Sequence, residues 1–206
     1  MSISRYCRLC ALVAGLSTMA IEMVGSRALA PSFGTSLPVW TNLIGLFMAG
    51  LALGSFLGGR LAMGGAGPTT LAKLLGVSGI YGMGLPLMTD HVFAFLRDYS
   101  DLGEAAGSFI GILLVYVPPV LLLGALGPVS IGLSTRSAEE SGGSSGWIYA
   151  LTTIGSLAGT LIPALITLPL LGVRLSTWLF SGLLLITAGT WVVVSDPPQP
   201  ALQGVQ

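Results

Sequence analysis

The sequence predicts an all-α polytopic membrane protein, a bundle of about six transmembrane helices. Three observations carry that expectation. Hydrophobic residues make up 53% of the 206 residues, charged residues only 8%, and mean hydropathy is +0.89. Soluble domains carry about 25% charged residues, so eight basic and eight acidic side chains cannot cover a soluble globule of this size. Six apolar stretches are each long enough, or nearly so, to cross about 30 Å of hydrocarbon as a helix. None of the alternating strands of a transmembrane barrel is visible. The composition excludes an ordinary cytosolic enzyme, a disordered chain, a disulfide-rich secreted domain and a basic nucleic-acid binder. The partner it demands is a lipid bilayer.

The stretches run Leu9–Ala30, Val39–Ala62, Leu71–Met88, Gly107–Leu133, Trp147–Leu171 and Leu175–Val194. The first has the outline of a secretory signal, with Arg5 and Arg8 before it and Ala28-Leu29-Ala30 as a cleavage-like site. Glu22 and Arg27 interrupt its apolar run and Pro31 follows the site, so it is expected to be retained as a span. The third is the weakest, because Gly76, Gly79, Gly82, Gly84 and Pro86 interrupt it; a kink or an early end is expected there. A solvated outer loop is expected over Thr89–Ala106, carrying Asp90, Asp98, Asp101 and Glu104. A flexible inner connector is expected over Ser134–Gly146, between two three-helix halves. Residues 1–195 form the membrane domain, and 196–206 a short Pro-rich cytoplasmic tail.

Lys and Arg in the short loops set the orientation. With the N-terminus inside, Arg5, Arg8, Arg60, Lys73 and Arg136 lie inside, and Arg27, Arg97 and Arg174 outside. The expected location is a cell (inner) membrane with both termini cytoplasmic. Trp40, Trp147, Trp178 and Trp191 fall near expected helix ends, as an aromatic belt requires.

Glu22 is the most informative residue, a carboxylate about thirteen residues into the first helix. At that depth it costs on the order of 2.5–3.5 kcal/mol by insertion scales, so it must be protonated, paired or facing a polar cavity. Arg27 is the obvious partner, but at i+5 it points about 140° away around the helix. Two readings stay open: a structural anchor, or a binding site for substrate, proton or cation. Thr41 and Asn42 near the start of the second helix, and Thr152, Ser156 and Thr160 on one face of the fifth, are further candidate binding groups. Their structural alternative is interhelical hydrogen bonding. Gly50, Gly54 and Gly58, then Gly107 and Gly111, then Gly155 and Gly159, recur at i+4, the spacing that lets helices approach closely. Pro118, Pro119, Pro163 and Pro169 fall within or near spans, where helices break. Cys7 and Cys10 form a lone C-x-x-C, read as two small apolar residues at a helix mouth. No metal site or cofactor is expected. One His and two Cys cannot supply a zinc set, no P-loop or dinucleotide-binding glycine motif occurs, and no Ser/His/Asp set is convincing.

Several strings carry a resemblance. They are Ile21-Glu22-Met23-Val24-Gly25-Ser26-Arg27-Ala28-Leu29-Ala30-Pro31, then Phe33-Gly34-Thr35-Ser36 and Val39-Trp40-Thr41; Leu51-Ala52-Leu53-Gly54 leading to Gly58-Gly59-Arg60-Leu61-Ala62; and Tyr149-Ala150-Leu151-Thr152-Thr153-Ile154-Gly155-Ser156-Leu157-Ala158-Gly159-Thr160, with Pro169 and Gly172-Val173-Arg174. Over residues 15–190 the chain resembles the membrane domain of membrane-bound spermidine-synthase-like proteins, the fused major-facilitator and spermidine-synthase family. The resemblance implies a bundle like half of a major-facilitator transporter. In that family a cytoplasmic Rossmann-like domain follows and carries the aminopropyl-transfer type of chemistry. The 206 residues hold no such domain, so the resemblance implies a non-catalytic membrane module. Met63-Gly64-Gly65 stands where the family often has Asp-Arg, which argues against a full alternating-access cycle. Three functions follow as expectations. The first is a module that anchors, or supplies substrate to, a separately encoded synthase-like enzyme. The second is a small homodimeric transporter of a polyamine or other cationic metabolite, using Glu22. The third is a structural or assembly subunit among other membrane subunits.

Overall fold

Seven α-helices and one π-helical turn account for almost all of residues 2–99, 102–135 and 141–194, which this computed structural model describes, and no strand occurs among them. Helix α1, Ile3–Phe33, runs unbroken through Ala28-Leu29-Ala30 and stops where Gly34 takes φ 75° and donates its N–H to the Ala30 carbonyl. A left-handed residue at that position is cheap only for glycine. Helix α2, Leu37–Met63, starts with Pro38 in its first turn, where a missing N–H costs nothing. Helix α3 spans Pro68–Tyr99, helix α4 Glu104–Val115 and helix α5 Val117–Ser134. Helix α6, Ser141–Ile162, passes through a π-helical turn at Pro163–Thr167 into α7, Leu168–Val194. Within α7, Gly172 has φ 72° and ψ −176°, which bends the chain back on itself.

Five helical stretches are long and apolar enough to cross a membrane, the last being the 50-residue run Gly142–Trp191. Fifty helical residues would extend about 75 Å, more than twice the hydrocarbon thickness. The fold at Gly172 divides that run into two passes. With α4 and α5 forming one broken pass, the chain makes six, as a multi-pass membrane protein. Large apolar side chains such as Leu37, Phe56, Leu165, Leu170 and Ile186 face outward around the bundle, which is tolerable in lipid and not in water.

The passes pair as α1 with α6, α2 with α4–α5, and α3 with α7. Helix α1 is central: 67% of its apolar window is buried, against 22% for Gly142–Trp191. Exchanging the first three passes for the last three leaves the pairing unchanged, and the detail repeats. A Cβ on Gly155 would meet the Leu12 carbonyl, one on Gly159 the Leu16 carbonyl, and one on Gly15 the Thr152 carbonyl. In the second pair, Gly54 faces the Leu121 carbonyl, Gly58 that of Ala125, and Gly124 that of Leu51. One constant spacing carries Leu12, Gly15 and Leu16 onto Leu121, Gly124 and Ala125. Another carries Leu51, Gly54 and Gly58 onto Thr152, Gly155 and Gly159. Gly54-Ser55-x-x-Gly58 and Gly155-Ser156-x-x-Gly159 are the sequence trace of that repeat. Since each half has three passes, the halves are inverted in the membrane.

The structure corrects three expectations. Helix α3 does not end at Met88 but carries Pro86 within a continuous helix to Tyr99; Phe93 and Leu96 stay buried on the helical period, with Phe93 edge-on to Phe33 at 5.2 Å. Its glycines are seats for α7, Gly79 against Leu185 and Gly82 against Ser181. The outer loop expected from Thr89 therefore shrinks, and Asp90 and Asp98 lie on the helix. The expected connector Ser134–Gly146 is likewise shorter, with α6 beginning at Ser141. Arg136, Glu139, Glu140, Asp101 and the tail 196–206 lie outside the described residues.

Candidate functional site

The sequence candidates do not converge on one cavity. Glu22 sits in the middle of α1 at 7% exposure, and its Oε2 is buried without a hydrogen-bond partner. Its position follows from the stripe Gly15, Thr18, Glu22, Gly25, Leu29 and Phe33, all buried on one face of α1. One turn further on, Gly25 lies against the Tyr116 ring. Glu22 and Arg27 do not pair: among the described residues the ion pairs are Arg97–Asp98 and Arg174–Asp90. This agrees with their separation around the helix.

Asn42 behaves as an interhelical strut. Its Nδ2 donates to the Ala105 carbonyl at 2.7 Å and to Ser108 Oγ at 2.9 Å, tying α2 to α4. Thr41 instead donates to the Leu37 carbonyl of its own helix, as Thr152 does to Ile148 and Thr160 to Ser156. The expectation of interhelical bonds thus fails for these threonines. A threonine inside a helix reaches the carbonyl four residues back with no help from a neighbour. Ser156 packs at the α1–α6 crossing, its Oγ 3.0 Å from where a Cβ on Gly15 would stand. Gly54, Gly58, Gly155 and Gly159 all serve backbone contact, whereas Gly50 receives the side chains of Val117 and Val120. Gly107 and Gly111 receive the rings of Phe33 and Phe93.

The feature that does gather polar groups lies at the distal end, opposite the N-terminus. A pocket of about 200 Å³ opens between α1, α3, the α4–α5 break and the start of α7. Its polar lining is Arg27, Thr89, Asp90, Tyr116, Arg174 and Thr177. Local chain geometry places each of them. Tyr116 is the joint between α4 and α5, at φ −101° and ψ −32°. After Val117 come Pro118 and Pro119; neither has an N–H to extend the α4 ladder. The ring points inward, packing near Phe47 and Phe93, and its hydroxyl meets Thr89 Oγ1 at 3.2 Å. Arg174 is delivered by the bend at Gly172, and its Nη2 donates to Asp90 Oδ2 across the pocket mouth. Beneath lies an apolar void too tight for water, bounded by Ile21, Val24, Leu85, Phe180 and the inner side of Tyr116. Tyr116, Leu85 and Thr177 line both spaces and so separate the polar pocket from the closed core.

Of this lining, Arg27 is the residue that the sequence marks as a candidate binding group. Hydropathy falls at Thr89-Asp90-His91, which gives Asp90 the look of loop charge, although the buried positions Leu85, Phe93 and Leu96 carry the helical period through it. Arg174 and Asp90 are 84 residues apart, and nothing local announces their pairing. No group of three or more metal-ligating side chains occurs among the described residues. No family model, curated protein or solved structure matches this chain.

Proposed function

We propose that this chain is a non-catalytic membrane module that takes a charged metabolite between its helices and supplies it to a separately encoded soluble enzyme of the spermidine-synthase-like kind, which it also anchors. The observation that carries the reading is Glu22, a carboxylate in mid-membrane whose Oε2 lacks a hydrogen-bond partner. A buried carboxylate left unsatisfied weakens the bundle unless it serves a ligand or a proton. The residue strings around Glu22, Gly54 and Gly155 give the reading its partner class.

The test combines a mild-detergent pull-down from the native membrane with the Glu22→Gln variant. A synthase-like soluble enzyme should co-purify near one-to-one, and product formation in intact membranes should fall at least tenfold in the variant. A lone protein with no enzyme depending on it for membrane attachment sinks the proposal.

A second reading is favoured by the inverted pairing of passes: a homodimeric transporter of a polyamine or other cationic metabolite. Six passes in two inverted halves are the unit from which larger transporters are built. A homodimer without partner, with vesicle flux abolished by Glu22→Gln, would select it. Several stoichiometric membrane subunits would select an assembly role instead.

A further inference from the structure

We propose that the distal pocket binds the carboxylate or phosphate group of a small anion or lipid headgroup, with Arg27 as its principal ligand. This site is distinct from the one assigned to Glu22 and does not depend on it.

The argument begins with charge. Three charged side chains line the pocket: Arg27, Asp90 and Arg174. Arg174 and Asp90 are bonded to one another, which leaves Arg27 as the uncompensated charge. Arg27 makes no ion pair among the described residues. The carboxylate nearest in sequence, Glu22, is turned into the core. A guanidinium offers five donors in a planar fork that fits the two oxygens of a carboxylate or phosphate.

The hydroxyls add direction. Thr177 Oγ1 donates to the Val173 carbonyl at 2.8 Å, so its proton is spent. Thr89 and Tyr116 share one hydrogen bond, in which either is the donor. Two hydroxyls carry two protons and that bond uses one. The other stays unspent on a residue that lines the same pocket as Arg27. A charged fork and a neutral donor on one small cavity are the recognition set for an oxyanion.

Size sets the class. Sites for drug-sized ligands run to about 300–1,000 Å³; this one, at about 200 Å³, suits a single anionic group with a short tail. Its apolar floor of Leu85 and Pro86 suits such a tail. The same chemistry is presented by a free metabolite and by a lipid headgroup, because the pocket opens near the ends of the spans.

The experiment uses the full chain in a phosphate-free maltoside detergent. Inorganic phosphate and acetate are titrated against chloride at equal ionic strength, with the melting temperature as readout. Either anion should raise it where chloride does not. Arg27→Gln should weaken the apparent affinity about tenfold or more, the scale of one lost charge-assisted hydrogen bond, and Arg27→Lys by less. Asp90→Asn releases Arg174 and should tighten binding, a gain that a merely structural role for these residues would not produce. Native mass spectrometry of freshly extracted protein tests the other source: a phosphate-headgroup lipid retained by the wild type and lost from Arg27→Gln identifies lipid as the occupant. If Arg27→Gln keeps the wild-type elution profile and circular dichroism, yet neither soluble anion nor lipid binding depends on it, the proposal is overturned.

Discussion

Glu22 and Asp90 are both carboxylates on membrane-spanning helices, and their surroundings give them opposite energetics. Asp90 keeps 52% of its side chain exposed and Arg174 keeps 61%. Exposed pairs contribute about 0.2–1 kcal/mol. A double-mutant cycle on Asp90→Asn and Arg174→Gln should therefore return a coupling energy in that range, shrinking as salt rises. Glu22 has no such partner, so its burial is a net cost. Glu22→Leu should raise the melting temperature by several degrees, since the desolvation cost of a mid-membrane carboxylate is on the order of 2.5–3.5 kcal/mol. Function should be lost at the same time, the usual exchange when a site residue is removed. A melting temperature that falls would mark Glu22 as a structural anchor. Both Glu22 and Arg27 stood out in the sequence because a charge within an apolar run is conspicuous one residue at a time. Asp90, Tyr116 and Arg174 acquire their roles only from three-dimensional neighbours, and no window of the sequence contains those.

The helix pairs are held by glycine at two crossings, α1 on α6 and α2 on α5. A methyl on Gly155 or Gly54 would strike a facing carbonyl, whereas Gly45 and Gly59 on α2 have open space around their Cβ positions. Gly155→Ala and Gly54→Ala should each cost about 1–3 kcal/mol through forced separation of the helices. Gly59→Ala should be neutral or stabilising by up to about 1 kcal/mol through helix propensity. Thermal unfolding in one detergent would separate the two groups. The spacing of small residues made these crossings legible in advance. The length of α3 and the joint at Tyr116 were not, for different reasons. Glycine and Pro86 in α3 argue for a break when read locally, but packing against α7 supplies what propensity withholds. At Tyr116 the prolines signalled a break within a span, but not the neighbours that the displaced ring would find.

Six passes in two inverted halves fix which segments share a side. Thr35, Leu102 and Gly172 should lie on one face of the membrane, and Ala66 on the other. Single cysteines at these four positions, with Cys7 and Cys10 replaced by alanine, should label in two groups with an impermeant maleimide applied to sealed vesicles. Cys7 and Cys10 are fully buried, and their removal clears the background. Mixed labelling of Thr35 and Gly172 would contradict the division of the 50-residue run into two passes. The sequence suggested two three-helix halves from loop position alone. The residue-by-residue correspondence between the two glycine crossings turns that division into geometry.

Those crossings lie near Leu12–Leu16 and Leu51–Gly58, towards the end of the bundle that carries the N-terminus. The joints at Tyr116 and Gly172 both lie at the opposite end, on either side of the Arg27 pocket. Backbone laid against backbone leaves no side-chain rotamers to relax, so the lower half resembles a welded frame. The upper half has two articulations and the exposed Arg174–Asp90 link. The build is that of a clothes-peg, stiff at the grip and jointed at the jaws, and a ligand drawn to Arg27 would enter between the two jointed parts.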